Sequence, residues 1–351
     1  MNIIKVKASS EYDVIIERGA LSRAGELAAS VISPCSLCIV TDDTVDALYA
    51  GALEESLTSA GFKTVKFVIP HGEASKNTVS LVSLLEFMAE HALTRADAIV
   101  ALGGGVVGDL AGFAAAVYLR GIKFIQIPTT LLACVDSSVG GKTGVDLAAG
   151  KNLAGAFHQP SLVICDPDTL ETLTPEIFSD GCAEVIKYAL INDKPLFELI
   201  GRGIKENIED VIAVCVKNKA EIVAADEFDT GRRQLLNLGH TVGHAIEARS
   251  HFEISHGCAV AMGTVIVARA AVSLGLCDKA ELREMIKVLG AHALPTECPY
   301  SAEELTEISL KDKKRFGDTL TLVVPYAIGD SRLYKIHVNE LKDFIQRGLD
   351  K

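Results

Sequence analysis

Basic residues are in deficit. Lys and Arg number 34 against 46 Asp and Glu, a formal net charge of −12, which argues against nucleic acid or an anionic membrane as partner, since both favour a broad basic surface. Any anion this chain binds must be met by local groups of cations. Uninterrupted apolar runs are also missing: Gly or a charge breaks each one before membrane-spanning length. The stretch "MNIIKVKASSEYDVIIERG" alternates apolar and polar residues like two short strands. It has neither the apolar segment nor the small-residue cleavage site of a secretory signal, so a cytoplasmic location is the expectation. Cysteine forms no scaffold pattern: the nine residues are odd in number and scattered through apolar segments such as "SPCSLCIV" and "LLACVD". Reduced, buried thiols are expected, and Cys35-x-x-Cys38, with no second pair, matches neither a zinc site nor a redox motif.

What is present is apolar material enough for two packed domains, 49% of 351 residues. From residue 35 to about 130, short apolar runs ("CSLCIVTDD", "KTVKFVIP", "DAIVALGGG", "KFIQIPTT") alternate with longer amphipathic stretches. That alternation predicts a mostly parallel sheet covered by helices. Beyond about residue 160 long helical patterns dominate, with one late hairpin signal in "DTLTLVVPYAIGDSRLYKI". The expected organisation is an α/β, Rossmann-like nucleotide-binding domain over 1–160 and a mainly α-helical domain over 161–351. The seam between them is the first place to look for a site. No internal repeat or low-complexity tract is present.

Gly103, Gly105 and Gly108 stand in G-x-G-x-x-G order after a strand and at the start of a helix. Such glycines let backbone N–H groups approach a pyrophosphate at the positive end of the helix. The acidic residue expected about 20 positions on is missing, because Tyr118 to Thr130 contains no Asp or Glu. Asp42 and Glu73, each just after a strand, are the candidates in its place, so the nucleotide domain is read as a variant. "SSVGGKTG" imitates a phosphate-binding P-loop, but Asp136 occupies the position of its first glycine. What survives is a glycine-rich region that puts Lys142, Lys151 and Asn152 on flexible loops.

In the helical half, Glu184 and Lys187 fall three apart among apolar Ala183, Ile186 and Leu190. Such a charged pair is either solvated or turned inward for a purpose. His240 and His244 are four apart, on one helical face, and His256 opens the next helix. Glu184, one of the first two histidines, and His256 make one carboxylate and two imidazoles with a position left open, the composition of a catalytic zinc site. Arg233, Asn237, His240 and His244, spaced 4, 3 and 4, would form one polar stripe, with Gly239 a break point just before His240. A guanidinium, an amide and an imidazole beside a metal suit a substrate bearing carboxylate, phosphate or many hydroxyls.

The stretches "HGEASK", "GGGVVGD", "YLRG", "IPTTLLACVDSSVGGKTGVD", "GKNLAGAFHQP", "GCAEVIKYALI", "LLNLGHTVGHAIE" and "HGCAVAMG", in this order, resemble the 3-dehydroquinate synthase family over nearly the full length. Cys134, Cys182 and Cys258 depart from the small or apolar residues expected at their positions. The resemblance implies one divalent ion, zinc or cobalt, on Glu184, His240 and His256. It implies NAD contacts at Asp42, Glu73, Lys76, Gly104, Gly105, Val106, Val107, Gly108, Asp109, Thr129, Thr130, Lys142, Lys151, Thr169, Leu170, Glu171 and Thr172. It further implies substrate contacts at Asp136, Lys142, Asn152, Lys187, Lys219, Arg233, Asn237 and His244. A lysine of "KDKKR" joins them, Lys314 in preference to Lys311 or Lys313, with Arg120 reaching in from the partner of a homodimer. The implied substrate is a sugar acid phosphate, 3-deoxy-D-arabino-heptulosonate 7-phosphate, converted to 3-dehydroquinate and phosphate. His240 is then the ligand and His244 faces the substrate. The alternatives are a metal-dependent polyol or alcohol dehydrogenase, another sugar-phosphate cyclase, and a silent NAD-binding protein. A dehydrogenase needs no phosphate cradle, and a silent protein would be expected to have lost a ligand or a lysine.

Overall fold

The computed structural model describes residues 1–312 and 318–350; the expected substrate contact at Lys314 lies outside them. Two compact units are present: Met1–Thr174 with Ile212–Phe228, and Pro175–Val211 with Asp229–Lys351. The first unit therefore runs to Thr174 and not to residue 160, and it takes back most of the long helix Ile208–Ala225. The extension past residue 160 comes from a short strand that the sequence hides, described next.

The first unit is built on a seven-stranded sheet. In chain order its strands are β1 (Asn2–Val6), β2 (Tyr12–Ile16), β3 (Ser36–Asp42), β4 (Lys63–Ile69), β5 (Ala98–Gly103) and β6 (Lys123–Pro128). An antiparallel hairpin outside this sheet follows, β7 (Lys142–Leu147) and β8 (Gly150–Phe157), and then β9 (Leu162–Cys165). The spatial order is β1-β2-β9-β6-β5-β3-β4, with only β1 antiparallel to its neighbour. β9 pairs with both β2 and β6, so without it the sheet would be cut in two.

Alternate residues of the central strands feed two cores. Leu37, Ile39, Val100, Leu102, Ile125 and Ile127 pack on one face, while Cys38, Val40, Ile99, Ala101 and Phe124 pack on the other. Burial on both faces is why these strands read as continuous apolar runs. All nine cysteines are free, and burial pushes the Cys38 thiol up to about 12, so Cys35-x-x-Cys38 is structural.

The second unit is helical around the helix His256–Ser273, packed by the helices Pro175–Asn192, His240–Arg249 and Leu341–Leu349 and by the hairpin β10 (Thr319–Ala327) and β11 (Asp330–His337). The His256–Ser273 helix is long and apolar enough to cross a membrane, yet 72% of it is buried inside the protein. It is the core helix of this unit.

Candidate active site

In the first unit β3 and β4 lie on one side of β5 and the later strands on the other, so the chain changes direction in the sheet between β3 and β5. Open parallel sheets bind ligands at the carboxyl ends of the strands flanking such a point. Asp42 ends β3, Gly104 and Gly105 follow β5, Thr129 and Thr130 follow β6, and Glu73 and Lys76 follow β4. The helix Gly105–Val117 starts there with no side chain capping its first turn. The first N–H groups of this helix, at Gly105, Val106 and Val107, fit a pyrophosphate, while a Cβ at Gly105 would sit 3.2 Å from Ser137 Oγ. Asp42 spends one carboxylate oxygen on its own turn, accepting from the N–H groups of Thr44 and Val45 at 3.0 and 2.9 Å. Thr169 and Thr172 meet the Tyr49 hydroxyl, at 3.0 Å through the Thr169 carbonyl and 2.6 Å through Thr172 Oγ1. Leu170 between them is buried, whereas Glu171 is exposed and paired with Arg18.

Lys76 is the electrostatic centre of this edge. It is buried, with its ammonium 2.8 Å from Glu73, 3.4 Å from Asp109 and 3.9 Å from Asp146, and Lys151 adds a second cation 3.7 Å from Glu73. Burial pushes Asp109 up to about 6 against the pull of Lys76. Burial acts in the same direction on Glu73, but Lys76 and Lys151 overcome it and hold that carboxyl low. Lys142 and Lys151 do not lie on flexible loops: β7 and β8 pair in register with Thr143 opposite Ala156 and Gly144 opposite Gly155. Glycines inside the strands imitated a loop, although at Gly144 a side chain would strike the Ala154 carbonyl oxygen at 2.8 Å. Asn152 holds a left-handed conformation, φ 54°, with its N–H donated to Asp146 at 2.7 Å.

The Ala133–Ser137 segment is a single π-helical turn, a feature that recurs at functional positions. It presents Asp136 to Lys219, whose buried ammonium donates to the Asp136 carbonyl at 2.6 Å and also contacts its carboxylate. Two expected substrate contacts thus meet within the first unit, one of them carried by the returning helix.

In the second unit Glu184, His240 and His256 bring ligand atoms within 4.8 Å of one another. Glu184 is buried, with the Lys187 ammonium in an ion pair with its carboxylate and His256 Nε2 3.3 Å from its Oε1. His240 Nδ1 lies 2.9 Å from the Leu238 carbonyl oxygen, which can only accept, so Nδ1 carries the proton and Nε2 offers a lone pair. Burial, then the charge of Lys187 and the neighbouring imidazoles, holds the His240 pKa well below the usual imidazole range. That lone pair lies 3.5 Å from Glu184 Oε1, an arrangement suited to a cation between them. Burial opposes charging His256, but hydrogen bonds to Glu184 and Glu247 outweigh it and carry its pKa up to about 10. A second group, His244, Glu247 and His256, also lies within 4.8 Å, but there His244 is exposed and Glu247 meets His256 at Nδ1.

The expected stripe is broken where the sequence placed the break. Gly239 takes φ 76° with its Cα hydrogen against Thr264 Oγ1, ending the turn Arg232–Asn237 before the helix starts at His240. Arg233 is among the largest fully buried side chains, whereas Arg120 of the first unit is exposed.

Two carboxylates escaped the motif reading. Asp180, four residues before Glu184, accepts from Ser255 Oγ and from the N–H groups of Gly257 and Cys258 at 2.6 and 3.2 Å. It thereby joins the helix bearing Glu184 to the start of the helix bearing His256. Glu247, three residues after His244 on the same helix, lies against His256; its spacing was the only signal available. A Cβ on Gly257 would lie 2.1 Å from the Asp180 carbonyl oxygen. Gly257→Ala is therefore expected to force the two helices apart, costing about 1–3 kcal/mol in denaturant melts and weakening zinc uptake.

Family profiles described as the 3-dehydroquinate synthase N-terminal and C-terminal regions match residues 66–180 and 181–315. A 3-dehydroquinate synthase of Streptococcus suis strain 05ZYH33 is 42% identical over 96% of this chain and 98% of its own length. Among solved structures, 2-epi-5-epi-valiolone synthase from Streptomyces hygroscopicus subsp. jinggangensis 5008, with NAD+ and Zn2+ bound, covers 99% of each chain at a TM-score of 0.88 and 27% identity. An iron-containing alcohol dehydrogenase shares the fold alone, with a TM-score of 0.70 and 16% identity over 98% of this chain and 99% of its own. The two matched halves and the near full-length identity leave one assignment: the chain belongs to the 3-dehydroquinate synthase family.

Proposed function

We propose that the chain converts 3-deoxy-D-arabino-heptulosonate 7-phosphate to 3-dehydroquinate and phosphate, the second step of the shikimate pathway. The observation that carries this reading is the buried group of Glu184, His240 and His256 in a chain 42% identical to a 3-dehydroquinate synthase. When bound, NAD supplies a hydride acceptor restored in each turnover, and a divalent zinc or cobalt ion supplies electrostatic pull on substrate hydroxyls. The net reaction is thus a lyase reaction.

The protein's share is to hold, orient and move protons. The first unit offers the N–H groups of the glycine turn and the Glu73, Lys76, Asp109 and Lys151 group to the nucleotide. Glu184, His240 and His256 hold the ion. Lys142, Asn152, Lys187, Lys219, Arg233 and Asn237 meet the carboxylate and phosphate, which accounts for so many local cations in an acidic protein. Asp136 orients Lys219 through the contact already described. His244, exposed and outside the ligand set of Glu184, moves a proton at the phosphate. The active form is a homodimer in which Arg120 of the partner subunit reaches the site. Left-handed backbone at Leu119 and Arg120, φ 49° and 69°, supports that role, since such strain gathers at functional positions.

Incubation with the heptulosonate phosphate, NAD and zinc is expected to release phosphate and dehydroquinate in equal amounts, without net NADH. Steady NADH accumulation would instead establish the dehydrogenase alternative, whose fold this chain shares.

A further inference from the structure

We infer that Glu247 is a positioning residue for the metal: it holds His256 so that Nε2 faces Glu184, and it strengthens His256 as a donor by placing a negative charge behind the ring. The inference rests on the reading of Glu184, His240 and His256 as the ligands.

The two imidazoles are anchored differently. His240 gives its Nδ1 proton to a neutral backbone carbonyl, that of Leu238, at 2.9 Å. His256 gives its own to a carboxylate, Glu247 Oε2, at 3.2 Å, while its Nε2 lies 3.3 Å from Glu184 Oε1. Glu247 is 2% exposed, and a carboxylate so deeply buried is costly unless paired. The ring of His256 is therefore gripped at one nitrogen and directed at the other. A carboxylate behind a ligating imidazole fixes its tautomer and raises its basicity, and losing such a partner typically costs about 10- to 100-fold in metal affinity.

The position of Glu247 on its helix is itself controlled. His244 lies one turn before it, and the helix is terminated directly after it by the Ser250 hydroxyl and the Phe252 N–H, both donating to the Glu247 carbonyl at 2.9 Å. The helix bearing His256 is fixed separately, through Asp180 at its first turn. Glu247 thus sets the ring on an already anchored backbone. Its removal should alter the metal's ligand field more than the fold.

The test uses the full chain stripped of metal, titrated with Zn2+ against a competing chelator and with Co2+ by visible absorption. Glu247→Ala is expected to weaken Zn2+ binding by about 10- to 100-fold and to shift the Co2+ absorption bands even at saturating Co2+. Glu247→Gln keeps an acceptor for Nδ1–H and loses the charge, so it should recover part of the affinity and most of the band positions. It also keeps the volume, which guards against misfolding in the alanine variant. Zn2+ affinity and Co2+ spectra matching the parent in both variants overturn the inference. If the parent itself binds no stoichiometric Zn2+, the ligand assignment fails instead.

Discussion

A His240→Ala variant should bind Zn2+ more than about 100-fold more weakly than the parent, because it loses a ligand and not merely a partner behind one. Phosphate release should fall by about 1,000-fold, since electrostatic pull on the substrate contributes several kcal/mol and each 1.36 kcal/mol is tenfold in rate. The geometry makes the effect specific to this imidazole. His240 offers a bare Nε2 3.5 Å from Glu184, and with it gone Glu184 keeps the Lys187 ammonium and His256. In that variant Lys187 remains the only lysine ammonium within ion-pair distance of Glu184 among the described residues. His244→Ala is the control. That ring is exposed, 5.5 Å from the His240 ring, and not among the ligand atoms grouped with Glu184. It should keep full Zn2+ occupancy by atomic absorption and lose activity by about 100-fold or more, the usual worth of a proton-transfer group. Zinc loss in the His244 variant, with retention in the His240 variant, would reverse the assigned roles.

Much of this site is legible in the sequence because its chemistry is local. Gly103 to Gly108 announce a strand-to-helix turn, and the spacing of His240, His244 and His256 places two imidazoles at the starts of successive helices. Spacing alone left the choice between His240 and His244 open, because both lie on one helical face. The proposed division of roles rests on the Leu238 carbonyl behind His240 and on Glu184 in front of it, neither of which leaves a pattern in the chain. Three features of the fold were hidden for similar reasons. β9 is the four-residue run Leu162–Cys165, too short to distinguish from a piece of buried helix. β7 and β8 carry glycines where strands usually carry β-branched residues, so they read as loops. The return of Ile212–Phe228 to the first unit is decided by long-range packing and by contacts such as that of Lys219 with Asp136. An amphipathic pattern says that a helix has a buried face and not which core receives it.

The largest stability effect is expected from Lys76→Met. The ammonium lies among three carboxylates, Glu73, Asp109 and Asp146, and removing one partner of a buried ion group typically costs about 3–5 kcal/mol. Asp109 and Asp146 retain about a fifth of their side-chain exposure and Glu73 about a third, so water relieves part of the repulsion and the low end, about 3 kcal/mol, is expected. The loss must also depend on pH with a definite sign. Burial raises the folded-state pKa of Asp109 to about 6, above the ordinary carboxylate value, so the folded chain holds this proton more tightly than the unfolded chain. Such a group favours folding below its unfolded pKa and loses that contribution as pH rises through the folded value. Without Lys76 the folded value climbs further, because the nearest attraction lowering it is gone. Urea unfolding of parent and variant at pH 8 should therefore show the full deficit, and at pH 5 a much smaller one, as Asp109 takes up its proton. A deficit equal at both pH values would place the cost of Lys76→Met in lost packing and not in three carboxylates deprived of their cation.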